Sequence, residues 1–405
     1  MAGIKYWVWL HERKGLPIRI KHLLLDHFGT PEALYFAELA DYLHVEGMTP
    51  KLAQPLLDKS CDGADRILGD CDRMGLRILT FQDADYPVRL RNIFEPPCLL
   101  YVRGRLPAVD EEAAVAIVGT RGATPYGLET TGTLSFSLAR QGALIVSGGA
   151  KGIDSAAHEG ALRAGARTVA VLGSGVDVVY PAGNERLFRD IEAAGALLSE
   201  YPPGTKALGA HFPVRNRIIS GLCLATVVVE APERSGALIT ARTALEQGRD
   251  VFAVPGPINA PESRGCNRLI ANGEAALAAD ASDILWEYEA RFPHKLRRAH
   301  VQLPRQLGYR AQQESEQRKK EVQPAQPQDS ALPRLDLRSD DHSLTDDQIH
   351  ILRVLRGGEM QVDDLIEATA LPTRRVLSAL TMLEIESYVL QSAGKHFSLS
   401  VELIE

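Results

Sequence analysis

No stretch of about 18 consecutive apolar residues occurs in this 405-residue chain, so it is read without a membrane-spanning helix. The opening MAGIKYWVWLHERKG is too short in its apolar part and too soon charged for a signal peptide. A cytoplasmic protein with no membrane partner is expected. Cysteine is scarce. Cys61, Cys71, Cys98, Cys223 and Cys266 show neither a CxxC pair nor ligand spacing, so free reduced thiols are expected and a metal site is not. Two nucleotide signatures are missing as well. G-x-G-x-x-G is absent from the first strand turn of the central region, and no acidic residue stands in the ribose-binding place after ALIVSGG, which disfavours a nicotinamide enzyme. GxxxxGK[ST] is absent too, so ATP hydrolysis by a P-loop has no support, and no cofactor is expected.

Positive charge is not in excess either. The net charge of −7 argues against a general polyanion binder, but its distribution is uneven. Residues 1–112 hold 14 Lys and Arg against 17 Asp and Glu, and residues 113–290 hold 15 against 18. Residues 291–340 hold 11 against 6, and residues 341–405 hold 5 against 11. Contact with nucleic acid must then be made by a few placed cations.

The length suits two to four domains. Residues 1–65 read as a helical domain of the sterile-alpha-motif or helix-hairpin-helix kind, with a plain structural cap as the alternative. Within it Gly29 ends one helix, and Thr30 and Pro31 stand as N-cap and first residue of the next. Residues 66–290 hold the runs VAIVG, ALIVSGG, TVAVLG, ALLSE, ATVVVEA and DVFAVPG. These are apolar throughout, as strands covered on both faces must be, and they alternate with helical segments. An α/β fold is expected, a Rossmann-like, doubly wound, mainly parallel sheet whose ligands sit outside the carboxyl ends of the strands. Residues 291–342, rich in Gln, Arg and Pro, read as a disordered linker. Residues 343–405 read as a winged helix, with three helices near Thr345–Leu355, Val362–Thr369 and Thr373–Leu383 and a two-stranded tail turning at Ala393-Gly394. Its third helix offers Arg374 and Arg375, but the unit's charge would be repelled by DNA phosphate. That turns the reading toward a protein-contact or regulatory role.

Four strand ends carry the candidate site. Gly119, Thr120 and Arg121 follow the first run, with a glycine that admits phosphate to the backbone and an arginine that can fork onto two oxygens. Ser147-Gly148-Gly149-Ala150-Lys151-Gly152 precedes a helix start and adds a cation beside unpaired N–H groups. Asp154 and His158 on that helix read as a cap and a buried hydrogen-bonding histidine. Phe212, Arg215, Asn216 and Arg217 open another helix, where two arginines and an amide suit an anion. Phe212 is read equally as a base-stacking ring or as core. Ser235, Gly236 and Thr240 begin a fourth helix, and Glu230 before them reads as orienting Arg215 or Arg217.

The motifs YPVRLRNIFEPPCLLYVRG, VAIVGTRGATPYG, IVSGGAKGIDSAAHEGAL, VAVLGSGVDVVYPAGN, LLSEYPPG, FPVRNRIISGL, VVVEAPERSGALITARTALEQGRDVFAVPG and RGCNRLIANG run in order from residue 86 to 273. In them the chain resembles the DNA-processing protein A family, DprA, also called Smf. It departs from the family's usual pattern at Gly149 and in ANGEAAL after Ile270. The resemblance implies single-stranded DNA binding, protection of that strand and loading of the RecA recombinase in natural transformation. It also implies a homodimer through the Rossmann-like domain and a C-terminal winged helix. Carried over by motif, it assigns DNA contact to Arg121, Ser147, Gly148, Lys151, Phe212, Arg215, Asn216 and Arg217.

Binding without catalysis is therefore the expected mechanism. Arg121, Lys151, Arg215 and Arg217 would neutralise successive phosphates. The alternatives use the same pocket. One is a nucleotide-binding sensor, and the other is a phosphoribohydrolase-like enzyme, whose PGGxGTxxE signature is replaced here by SGALITARTALE.

Overall fold

The computed structural model describes residues 2–296, 334–337, 344–386, 388–392 and 396–404. The chain forms two units, Met1–Val301 and Gln302–Glu405. Among the described residues no helix is long and apolar enough to cross a membrane.

The first unit is built on nine strands: β1 (Arg77–Thr80), β2 (Leu99–Gly104), β3 (Ala114–Val118), β4 (Leu144–Ser147), β5 (Thr168–Leu172), β6 (Ala196–Ser199), β7 (Ala225–Val228), β8 (Asp250–Ala253) and β9 (Ala276–Leu277). Their order is β1-β2-β6-β5-β4-β3-β7-β8-β9. From β6 to β9 all neighbours are parallel, whereas β1–β2 and β2–β6 are antiparallel. The six expected strands are all present, and the order β5-β4-β3-β7-β8-β9 is that of a Rossmann sheet.

Apolar residues on both sides of β3 show why its run does not alternate with polar ones. Ala114, Ala116 and Val118 belong to a core with Ile218, Ile219, Leu222, Ala237, Ala241 and Ala244, contributed by the helices His211–Leu222 and Gly236–Glu246. Val115 and Ile117 belong to another with Leu134, Leu138, Ala157 and Ala161, contributed by the helices Pro125–Arg140 and Ile153–Arg163. A strand buried on both faces has no place for a solvated side chain.

The N-terminal residues fold as helices, as expected, including the break after Phe28. Gly29 adopts φ 75°, the Thr30 hydroxyl accepts from the Ala33 N–H at 3.1 Å, and Pro31 opens the next helix. These helices do not close a core of their own. Trp9, Leu24, Leu34, Tyr42 and Leu56 share one with Leu99, Tyr101, Leu172, Phe188 and Leu197 of the sheet layer. The residue-65 boundary falls inside the helix Asp62–Met74.

Most of the expected linker 291–342 lies outside the described residues. At its start Phe292 and Leu296 are buried with the sheet core. Near its end Arg334–Asp336 pairs in parallel with Glu402–Ile404. The second unit holds the helices Asp346–Leu355, Val362–Thr369 and Thr373–Ile385 and the antiparallel strands Val389–Ser392 and His396–Leu399. Thr345 and Gln348 form a capping box at its first helix. Ile351, Leu352, Leu365, Val376, Leu380 and Leu383 fill its core. The expected turn at Ala393-Gly394 lies outside the described residues.

Candidate nucleic-acid interface

In the sheet order the direction of winding reverses between β3 and β7, and a crevice opens outside their carboxyl ends. It is a cleft of about 420 Å³ lined by Gly119, Thr120, Arg121, Ala150, Asp154, Phe212, Arg215, Asn216, Arg234, Ser235, Gly236 and Thr240, among others.

Its two walls are tied together. The Thr120 N–H donates to the Glu230 carbonyl at 2.7 Å. The Glu230 carboxylate accepts from the Thr124 N–H at 2.9 Å and from the Thr124 hydroxyl at 2.5 Å. Glu230 is thus spent on the loop after β3 and on the start of the helix Pro125–Arg140, where Thr124 is the N-cap. It orients neither Arg215 nor Arg217, which corrects the sequence expectation. The close fit also fixes two glycines. A Cβ on Gly119 would lie 2.5 Å from Ile153, and one on Gly127 would lie 2.1 Å from the Glu230 carboxylate.

The arginines divide into two kinds. Arg121 is exposed, and its guanidinium lies 4.6 Å from the centroid of the Phe212 ring. Arg215 is only 3% exposed. It donates to the Gly148 carbonyl at 2.7 Å and also to the Val171 carbonyl. Burial lowers its pKa to about 10, opposed by the nearby Asp154 carboxylate. Asp154, also buried, is pushed upward by desolvation against the pull of Arg215 and of the Ala150 N–H at 3.3 Å. Arg215 and Asp154 thus compensate each other across the floor of the cleft, so little of the arginine's charge is left for a ligand. Arg217 does not line the cleft. It holds both oxygens of Glu200, at 2.8 and 2.9 Å, in a pair that is about nine-tenths buried.

Lys151 is exposed and has no hydrogen bond or ion pair to a described residue. Its turn packs on the loop after β3, where a Cβ on Gly152, at φ 86°, would lie 2.5 Å from the Thr120 carbonyl. That places Lys151 on the rim. Gly148 lies beneath, against Arg215. Ser147 is fully buried, and its hydroxyl donates to the Ile117 carbonyl at 2.6 Å, tying β4 to β3. Gly149 adopts φ 67°, a conformation that glycine takes without penalty. His158 is fully buried against the Thr168 hydroxyl at 2.8 Å, as expected. Asp154 is not the helix's cap residue; it holds the preceding turn through Ala150.

On the far wall Ser235 is the N-cap of the helix Gly236–Glu246, accepting from the Ala237 N–H at 3.2 Å. The Thr240 hydroxyl is turned back to the Gly236 carbonyl at 3.3 Å. Nothing lies within 4 Å of a Cβ built on Gly236, so this helix start is open to a ligand. Arg234, exposed and lining the cleft, was missed as a site residue. The available signal was its place directly before a Ser-Gly helix start.

Fold and crevice together define a Rossmann-like protein with a crevice at its switch point that is lined by the exposed Arg121 and Arg234. The chain belongs to the DNA recombination-mediator protein A family, whose model matches residues 77–289. A model of the DprA winged helix domain matches residues 336–395. Protein Smf of Synechocystis is 40% identical over 280 residues, which cover 68% of this chain and 70% of that protein. DNA processing protein DprA of Bacillus subtilis is 40% identical over 226 residues, covering 56% and 76%. The X-ray structure of DprA from Streptococcus pneumoniae superposes with a TM-score of 0.62 at 35% identity, covering 70% of this chain and 97% of that one.

Proposed function

We propose that the cleft and its rim bind single-stranded DNA, and that the chain protects the strand and passes it to the RecA recombinase in recombination or natural transformation. The observation that carries this reading is the set of exposed cations Arg121, Lys151 and Arg234 around a crevice with an open helix start at Gly236 and close-packed glycines at Gly119, Gly148 and Gly152. Such a site takes phosphate, and separated cations suit the successive phosphates of a strand. Family membership supports DNA as the ligand and the recombinase as the recipient. It also supports a homodimer, in which two grooves would raise affinity for long strands through effective concentration. The reaction is binding without bond cleavage.

The test is fluorescence anisotropy of a labelled oligonucleotide, single-stranded and duplex, across a salt series. The single strand is expected to bind more tightly, with log K falling linearly against log salt. Arg121→Ala and Lys151→Ala should each weaken binding about 10- to 100-fold, as loss of a charge-assisted contact does. Each should lower the salt slope by about one. Unchanged binding in both variants would remove the cleft from the reading. A second reading, a sensor of a small nucleotide, is favoured by the cleft's volume of about 420 Å³, which suits a small ligand. It takes over if neither DNA form binds at low salt.

A further inference from the structure

Phe212 read from the sequence as a possible base-stacking ring, but its surfaces are largely taken. The Arg121 guanidinium covers one face at 4.6 Å, Arg215 lies 5.8 Å from the centroid, and a Cβ on Gly173 would lie 3.1 Å from the ring. Phe212 thus holds Arg121 in place. Beside it stands a second ring, Tyr180, with centroids 5.7 Å apart and planes inclined by 41°. Tyr180 is 45% exposed, and its hydroxyl has no hydrogen bond to a described residue.

The loop that carries Tyr180, between β5 and the helix Glu185–Ala194, is pinned on both sides. Asn184 donates to the Gly149 carbonyl and to the Ser155 hydroxyl, each at 2.9 Å. The Asp177 carboxylate accepts from the Gly204 N–H at 2.9 and 3.0 Å. The Ser174 hydroxyl donates to the Val178 carbonyl at 3.1 Å. The first tie joins the loop to the turn that carries Lys151. On the other flank the Gly175 N–H donates to the Thr205 carbonyl at 2.9 Å, next to the exposed Lys206. An aromatic ring that is half in water, packed on the ring that supports Arg121 and carried by a loop tied to the segments that bear Lys151 and Lys206 suits a single-stranded nucleic acid, because every base has a π face to stack.

We propose that Tyr180 is a base-stacking residue that extends the cleft past β5, taking a base of a single strand whose phosphates lie along Arg121, Lys151 and Lys206. The proposal rests on the strand-binding reading and adds to it a base contact outside the cleft.

The test compares Tyr180→Leu and Tyr180→Trp in the full chain, titrated with a thymidine oligonucleotide and with an abasic strand of the same length. Tyr180→Leu should bind the thymidine strand roughly 5- to 150-fold more weakly, the span of one stacked base, and the abasic strand as the wild type does. Tyr180→Trp should keep its affinity, and its added emission should be quenched by the thymidine strand and not by the abasic one. That signal serves even where the leucine variant folds poorly. Equal binding of both strands by Tyr180→Leu and wild type, or an equal loss for both, overturns the proposal. A wild-type chain that binds neither strand overturns the strand-binding reading and this proposal with it.

Discussion

Three arginines that look interchangeable in GTR and FPVRNR do different work. Arg121 is in solvent on an aromatic support, Arg215 braces the backbone of two strand ends, and Arg217 neutralises Glu200. Removing Arg217 leaves a carboxylate buried without its partner. Arg217→Ala is expected to lower stability by about 3–5 kcal/mol, and Arg217→Met with Glu200→Met to recover much of that loss; urea denaturation measures both. A titration effect belongs to His158, whose pKa burial lowers from 6.5 to about 3. Between those values the unfolded chain takes a proton that the folded chain refuses, so stability should fall as pH drops from about 6.5 toward 3. Asp154, shifted upward, acts in the opposite sense: its contribution is present at low pH and is lost as pH rises through its folded value. In denaturation midpoints from pH 7 to pH 5, His158→Gln should show a shallower pH dependence than the wild type.

At the scale of elements, the turn after β3 and the helix that follows it depend on one carboxylate. A methyl group on Gly127 would meet Glu230 at 2.1 Å, so Gly127→Ala should cost about 1–3 kcal/mol by overpacking. It should also weaken oligonucleotide binding, because Thr124 loses its anchor; urea melts and anisotropy on one sample would show both. The parallel strands were legible in the sequence because burial on both faces leaves an unbroken apolar run. β1 and β2 were not, since Arg77–Thr80 and Leu99–Gly104 join the sheet through antiparallel pairing that no local pattern announces. β9, with two residues, is too short to carry a period. In the site, the glycine turns and Arg121 were legible because their chemistry is local. The diversion of Arg215 to Val171 and of Arg217 to Glu200 was not, because those partners come from other strand ends.

For the first unit as a whole, the stretch matched by the family model and the stretch that shares a core differ in extent. The match begins at residue 77, while the core under β2 and β6 is closed by Trp9, Leu24, Leu34 and Leu56. A fragment of residues 77–289 should expose that apolar face and aggregate. A fragment ending at residue 300 should remain soluble, and one ending at 290 should be destabilised by several kcal/mol through loss of Phe292 and Leu296. Size-exclusion chromatography and thermal melts distinguish the three. The tie from Glu230 across the cleft walls also bears on time. Since the walls are fastened together before any ligand arrives, capture needs no closing step, and the speed of encounter is set by diffusion and by the field of the exposed cations. Salt should then act on the rate of capture as well as on the strength of holding.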